Sequence, residues 1–132
     1  PNALLLANAC FDAVQNIGWP ESRIIMAETT IYLASSPKSN SAYMAINQAL
    51  ETVRETGNLP VPLHLRNAPT QLMKELDYGK NYKYAHDYPG HFVDQQYLPD
   101  ALKNHGWWKP QNNPAENKLK EHLNELWKGR YK

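Results

Sequence analysis

Two short stretches hold the residue types from which a metal or phosphate site could be built. His86, Asp87 and His91 place three metal-binding side chains within six positions, which makes zinc a candidate, although no fourth ligand follows at a fitting spacing. The stretch 79–81, Gly-Lys-Asn, is the nearest approach to a phosphate-binding loop, yet it lacks the upstream glycine and the Ser or Thr that such loops carry. We therefore predict hydrogen-bonding histidines in an ordered loop, and no metal, cofactor or ATP bound by these residues.

The sequence signals no catalytic nucleophile. Its serines cluster at 35–41, where helix capping explains them, and its single cysteine, Cys10, lies in an apolar helical pattern typical of a buried structural thiol. Glu51 and Glu55 lie one helical turn apart on what reads as a solvated face. We predict that these residues form no enzyme active site.

Charge is distributed unevenly along a chain whose formal net charge is only +1. Residues 1–66 hold four Lys or Arg against five Asp or Glu, whereas residues 103–132 hold seven against three. The basic end is the one to test for nucleic acid, and its DNA-contact candidates are Lys103, Lys109, Lys118, Lys120, Lys128 and Arg130. A second candidate is the set of Lys74, Lys80 and Lys83 interleaved with tyrosines, but neighbouring acidic residues nearly cancel its charge and such tyrosines more often pack inward.

The patterns before and after residues 60–99 are helical, whereas this central stretch is rich in proline and tyrosine. We interpret this stretch as an ordered loop platform whose tyrosines pack and bind loop amides through their hydroxyls. Before it, the patterns predict three antiparallel helices over 2–57, the second beginning near Pro20 and apolar enough to be buried on two sides. In the third helix, capped by Ser39 or Asn40 and ended by Gly57, the stripe of Tyr43, Ile46, Leu50 and Val53 is either core or a subunit seam, and such narrow stripes most often face their own core.

A fourth helix is predicted from Pro69 to Gly79, with Leu72, Met73 and Leu76 on its buried side. The last helix has the clearest start signal, with Asn113 as its cap, Pro114 in its first position and Glu116 three residues after the cap; Gly129 ends it. Because large aromatic residues anchor protein contacts and this tail has few neighbours in its own domain, we predict that it crosses to a neighbouring subunit and supplies the interface. The interface candidates are Trp107, Trp108, Leu119, Leu123 and Trp127.

Two separated motifs carry a family resemblance. The stretch SPKSNSAYMAI at 36–46 and the run that contains HLRNAP at 64–69 and the pattern YGxxYxYAHD at 78–87 resemble the C-terminal region of the MgsA/RarA family of AAA+ ATPases. That family includes bacterial replication-associated recombination protein A and the Werner-helicase-interacting protein. The matching residues that we expect to hold the loop together or to face the ATPase core include His64, Arg66, Asn67, Pro69, Tyr78, Gly79, Tyr82, Tyr84, His86 and Asp87. Asp77 stands where many members have glycine.

The resemblance implies an all-α helical bundle similar to the collar of clamp loaders. It further implies one oligomerisation domain over 1–132, with a helical scaffold at about 2–57, a loop platform with short helices at about 58–112 and a C-terminal helix at about 113–129. By the same resemblance the domain forms a homotetramer. The alternative is a DNA-binding or partner-docking module of the same ATPase.

For the longer protein, the resemblance implies a DNA-dependent AAA+ ATPase of replication-fork maintenance and recombination. Its ATP and magnesium site would lie upstream of these residues. DNA and single-strand-binding protein are its expected partners, and the bacterial cytoplasm, at the nucleoid, is its expected location. The N-terminal residues show neither a signal peptide nor a membrane span, so we expect no membrane contact.

Overall fold

The computed structural model describes residues 2–103 and 105–129. Its α-helices are α1 (Asn2–Ile17), α2 (Ser22–Ser35), α3 (Ser41–Thr56), α4 (Gln71–Glu75) and α5 (Pro114–Leu126). Among the described residues, single turns of 3-10 helix lie at Leu63–Leu65, Ala85–Asp87, Pro89–His91 and Asp100–Leu102. No β-strand occurs in the described ranges, so the all-α prediction is confirmed.

The chain divides into two compact units, Pro1–Lys38 and Ser39–Lys132. The first unit is a hairpin in which α1 packs against α2. Gly18 ends α1 with a φ of 77°, a left-handed conformation that glycine adopts readily, and its N–H donates to the Val14 carbonyl at 2.9 Å. Pro20 lies in the turn, two residues ahead of α2. This turn is closed by a hydrogen bond from the Ser22 amide to the Gly18 carbonyl at 3.0 Å. The predicted start of α2 at Pro20 was therefore too early.

The apolar residues of α2 are not buried on two sides, contrary to the sequence prediction. Ser22 is the only buried residue of this helix, and Ile24 and Ile31 are exposed. Two helices alone offer too little surface to cover each other, since a chain segment of this size seldom forms a core by itself.

The second unit begins with α3, which the sequence grouped with α1 and α2. Of the two predicted caps, Asn40 holds the cap position without a side-chain cap bond, and Ser39 Oγ accepts a hydrogen bond from the Ser41 amide at 3.1 Å. Gly57 ends the helix, as predicted, with a φ of 64° and an N–H that donates to the Val53 carbonyl. The expectation of one domain over 1–132 stays a prediction.

The platform contains little regular structure. Helix α4 is shorter than predicted at both ends. It begins after Thr70, which caps it by accepting from the Met73 amide at 3.3 Å, and it ends at Glu75, well before Gly79. Leu72 and Leu76, predicted on its buried side, are both exposed. The turn predicted at 88–90 is present, and it includes Gly90 with a φ of 68°.

Helix α5 starts as its sequence signal predicts. Asn113 accepts a hydrogen bond from the Glu116 amide at 3.0 Å, and Pro114 is the first helical residue. The helix ends at Leu126, three residues before Gly129. Within the described ranges only Val93 and Leu102 are buried apolar residues, so the platform holds the small core that this chain has.

Candidate functional site

Two indole groups fasten the segment before α5 to helix α3. Trp108 Nε1 donates to Ser41 Oγ at 3.0 Å, and Trp107 Nε1 donates to Thr52 Oγ1 at 2.9 Å. Ser41 is buried, and Thr52 and both tryptophans are half-buried. The two bonds lie eleven residues apart on α3, or roughly 16 Å at 1.5 Å per residue, so the indoles hold the helix near both ends. We call this contact the indole clasp.

The carboxylate of Glu116 joins the start of α5 to the start of α3. Hydrogen bonds from the Ser39 hydroxyl, the Gln111 amide, the Asn113 side chain and the Ser41 hydroxyl lower its pKa from 4.5 to about 2. Ser41 thus contributes to both contacts, because its Oγ accepts from Trp108 Nε1 and its hydroxyl is one of the groups that lower the pKa of Glu116. Sequence reasoning placed Glu116 in the cap of its own helix and missed that it also reaches α3.

Helix α3 consequently has two different faces. The residues at 41, 45, 48, 49 and 52 are buried or half-buried. The predicted stripe lies roughly 140° around the helix from them and is exposed, at 65% for Tyr43, 55% for Ile46, 47% for Leu50 and 57% for Val53. The prediction that this stripe faces its own core is therefore wrong in the second unit. The clasp binds the polar face of α3 and leaves its apolar face outward.

A groove of about 600 Å³ lies beside this stripe. Small residues of α3 and Ile46 line one side, and Trp107, Trp108, Tyr97 and Leu98 line the other. A groove with small residues on one side and large aromatic residues on the other suits a helix or an aromatic side chain from a partner.

Arg66 organises the first family motif. Its Nε donates to the Val61 carbonyl at 2.7 Å, its Nη1 donates to the Tyr78 hydroxyl at 3.2 Å, and its guanidinium lies 5.0 Å from the centre of the Tyr78 ring. Gly79 joins the motifs, since its N–H donates to the Leu63 carbonyl at 2.9 Å. A Cβ at Gly79 would lie 3.3 Å from the Arg66 carbonyl oxygen, so this close approach favours glycine.

Side chains other than tyrosine bind the platform backbone at several points. His64 Nε2 donates to the Gln96 carbonyl at 2.7 Å. The amide of Gln95 binds the Lys83 N–H at 3.3 Å and the Lys83 carbonyl at 3.1 Å, as a neighbouring strand would. Tyrosine hydroxyls contribute less than the sequence suggested, and sequence reasoning missed the role of Gln95.

His86 lies between two other rings, and it is tilted by 50° to Tyr84 and by 53° to His91. It lies 5.1 Å from Tyr84 and 5.0 Å from His91, measured between ring centres, and all three side chains are exposed. Over the described ranges no group of three or more His, Cys, Asp or Glu is arranged to hold a metal ion. The roles of His86 and Asp87 in the second motif stay predictions, as do those of Asn67 and Pro69.

The lysine and tyrosine set of the platform is only partly available to a nucleic acid. Lys80 forms an ion pair with Asp77 at 2.9 Å, which neutralises its charge. Tyr82 and Tyr84 are exposed, and Tyr78 lies under Arg66. The exposure of two tyrosines departs from the expectation that these rings pack inward, and binding here stays a prediction.

Several of the predicted interface residues of the tail already make contacts within their own unit. Trp107 and Trp108 contact α3 through the clasp, whereas Trp127 packs edge-on to Phe92 at 4.9 Å between ring centres. Leu119 is exposed and Leu123 is half-buried. The tail therefore has more neighbours in its own unit than the sequence suggested, and its place in a subunit interface stays a prediction.

The lysines proposed for DNA contact point outward. Lys103, Lys109, Lys118, Lys120 and Lys128 are all exposed. The sixth candidate, Arg130, lies outside the described residues.

No helix in the described part of the chain is both long and apolar enough to cross a membrane.

The described residues form an all-α arrangement with a clasped helix and an aromatic loop platform. Residues 1–127 match the family model described as "MgsA AAA+ ATPase C terminal". The chain therefore belongs to the family of C-terminal regions of MgsA AAA+ ATPases, as its motifs indicated.

Named relatives agree with this membership. The chain is 45% identical over 124 residues to Replication-associated recombination protein A of Coxiella burnetii, and the match covers 93% of this chain and 28% of that protein. The protein of the same name from Escherichia coli K12 is 40% identical over the same shares. The ATPase WRNIP1 of Dictyostelium discoideum is 40% identical over 78% of this chain and 12% of its own length. The chain thus spans under a third of the relatives it matches.

Proposed function

We propose that this domain assembles copies of a AAA+ ATPase into a homo-oligomer, a tetramer by family resemblance, and that it performs no catalysis itself. The observation that carries this proposal is the exposure of its apolar side chains. In the described ranges only Val93 and Leu102 are buried apolar residues, while leucines, isoleucines and tyrosines of α1, α2 and α3 are exposed. Apolar side chains that stay exposed in such numbers are typical of protein interfaces.

Assembly of this kind would serve an ATPase directly. Subunits held together by a C-terminal domain keep their nucleotide sites at high local concentration, which favours coupling between them. In this proposal the longer protein binds ATP and magnesium upstream of these residues. It acts on DNA in replication and recombination in the bacterial cytoplasm at the nucleoid, and single-strand-binding protein is one of its partners. The relatives named Replication-associated recombination protein A support the role in replication and recombination.

The test of assembly is the mass of the 132-residue chain in solution, measured by light scattering over a concentration series without DNA or nucleotide. One chain has a mass of 15.1 kDa. We expect a mass of several chains, reaching four times that of one chain. A mass of 15.1 kDa at every concentration would refute assembly through these residues.

DNA binding by the basic end is the second candidate function. Five of its six proposed cations are exposed lysines, and over the described ranges none of the five lies in a salt bridge. The test is a titration of labelled single-stranded DNA at several salt concentrations. We expect the double change Lys118→Glu and Lys120→Glu to weaken binding and reduce its salt dependence, whereas Lys74→Glu should have little effect. Binding without salt dependence would eliminate this candidate.

A further inference from the structure

We propose that the exposed stripe of α3 pairs in antiparallel orientation with the same stripe of a second copy of this chain. This inference rests on the proposed assembly and adds the surface responsible. It departs from the sequence prediction, which placed the interface on the aromatic tail.

The spacing of the stripe is that of a helix pair. Tyr43, Ile46, Leu50 and Val53 follow one another at three, four and three residues. These are the a and d positions of a heptad, which form the narrow seam along which two helices pack knobs into holes. A helix that faces a broad core normally carries a wider apolar face, so this stripe fits a single helical partner.

The clasp on the opposite face explains why the stripe stays available. Ser41 and Thr52 bind Trp108 and Trp107, and this fixes which side of α3 faces its own unit. Rotating α3 to bury its apolar stripe would break both hydrogen bonds. The stripe must therefore be covered from outside the unit or remain in water.

The stripe is complementary to itself in one orientation. An antiparallel pair related by a twofold axis near Gln48 sets Tyr43 opposite Val53 of the second copy and Ile46 opposite Leu50 of that copy, because each pair of numbers adds to the same total. Every layer then holds an a residue against a d residue, with the largest side chain facing the smallest. Such a twofold contact closes on itself, as homo-oligomer interfaces do.

Residues beside the stripe fit this orientation. Ala42 and Ala49 lie on one flank and allow two helix backbones to approach closely. On the other flank, antiparallel pairing separates Arg54 from its copy by roughly 18 Å along the axis, whereas parallel pairing places the two like charges at one level.

The groove walled by Trp107 and Trp108 continues the surface of the stripe. A partner can therefore cover more than the stripe alone, as interfaces of about 1,600 Å² require.

The first test compares two substitutions of equally exposed leucines by light scattering. Leu50 in the stripe is 47% exposed, and Leu119 in α5 is 46% exposed. We expect Leu50→Glu to reduce the mass to half or less of the wild-type value, because it places two carboxylates in the seam, whereas Leu119→Glu should keep the wild-type mass. Far-UV circular dichroism checks that both variants remain helical.

The outcomes separate this inference from the proposed function. A wild-type chain that is a monomer refutes both. A wild-type oligomer whose mass Leu50→Glu leaves unchanged refutes only the α3 pairing, and dissociation by Leu119→Glu alone would assign assembly to the tail instead.

Crosslinking tests the orientation and serves even where Leu50→Glu fails to fold. In a chain whose Cys10 is replaced by alanine, a cysteine at Asn47 lies within about 3 Å axially of its copy in the antiparallel pair, while one at Val53 is offset by about 15 Å. With a short bismaleimide we expect Asn47→Cys to give covalent dimers and Val53→Cys to give few. Any other pattern overturns the antiparallel arrangement.

Discussion

The clasp between Trp108 and Ser41 permits a quantitative prediction. Ser41→Ala removes the acceptor of the indole N–H and one donor to Glu116, and it leaves a half-buried N–H without its partner. Loss of a hydrogen bond that strands a buried group destabilises a protein by about 1–3 kcal/mol. Trp108→Phe removes the same bond from the other side. We expect each single change to lower the free energy of unfolding by that amount.

The informative quantity is the coupling between the two changes. Because both single variants lose the same hydrogen bond, the double variant should be destabilised by about 1 kcal/mol less than the sum of the two. The assay is urea unfolding followed by far-UV circular dichroism, since the substitutions alter tryptophan fluorescence. All variants must be measured at one protein concentration, because association adds to apparent stability.

A matched pair supplies the control. Trp107 binds Thr52 near the other end of α3, so the combination of Trp107→Phe with Ser41→Ala should be additive to within about 0.5 kcal/mol. A coupling between Trp108 and Ser41 no larger than this control value would refute the clasp as a source of stability.

Three further predictions concern the platform and the start of α5. Arg66→Ala should lower stability by about 1–2 kcal/mol through loss of its hydrogen bonds and its contact with Tyr78; an unchanged melting temperature would instead favour a role facing the ATPase core. Gly79→Ala should also destabilise, by about 1 kcal/mol or more, because its φ of 73° and the nearby carbonyl exclude a side chain, and wild-type urea unfolding would contradict this. The lowered pKa of Glu116 adds stability above pH 4.5 that is lost as the pH falls towards about 2; Glu116→Gln should flatten the acid-unfolding profile in this window, and an unaltered profile would assign the acid sensitivity to other groups.

Local signals in the sequence determined much of the secondary structure. Asn113 and Pro114 set the start of α5, and Gly18 and Gly57 set the ends of α1 and α3, because each acts through its own backbone and nearest neighbours. The boundaries of α4 were predicted less well, since Pro69 and Thr70 compete for its start and only the hydrogen bond to Met73 decides between them.

Contacts between distant residues were beyond the sequence reasoning. The stripe of α3 reads as a core face until Trp107 and Trp108 are known to bind the opposite side, and nothing in the pattern pairs Ser41 with a residue 67 positions away. The bond of Gln95 to Lys83 is likewise invisible, because a glutamine in a loop has no periodic signature. The family motifs indicated where ordered loops lie but not which atoms hold them.

The indole clasp has a consequence for the order of folding. Its two hydrogen bonds join residues 55 and 67 positions apart, so closing it restricts the whole intervening chain and carries the entropy penalty of a long loop. During synthesis α3 leaves the ribosome well before the tryptophans that orient it. In a nascent chain, α3 can therefore turn its apolar stripe either towards its own unit or towards solvent. Trp107 and Trp108, which are synthesised later, select the outward orientation.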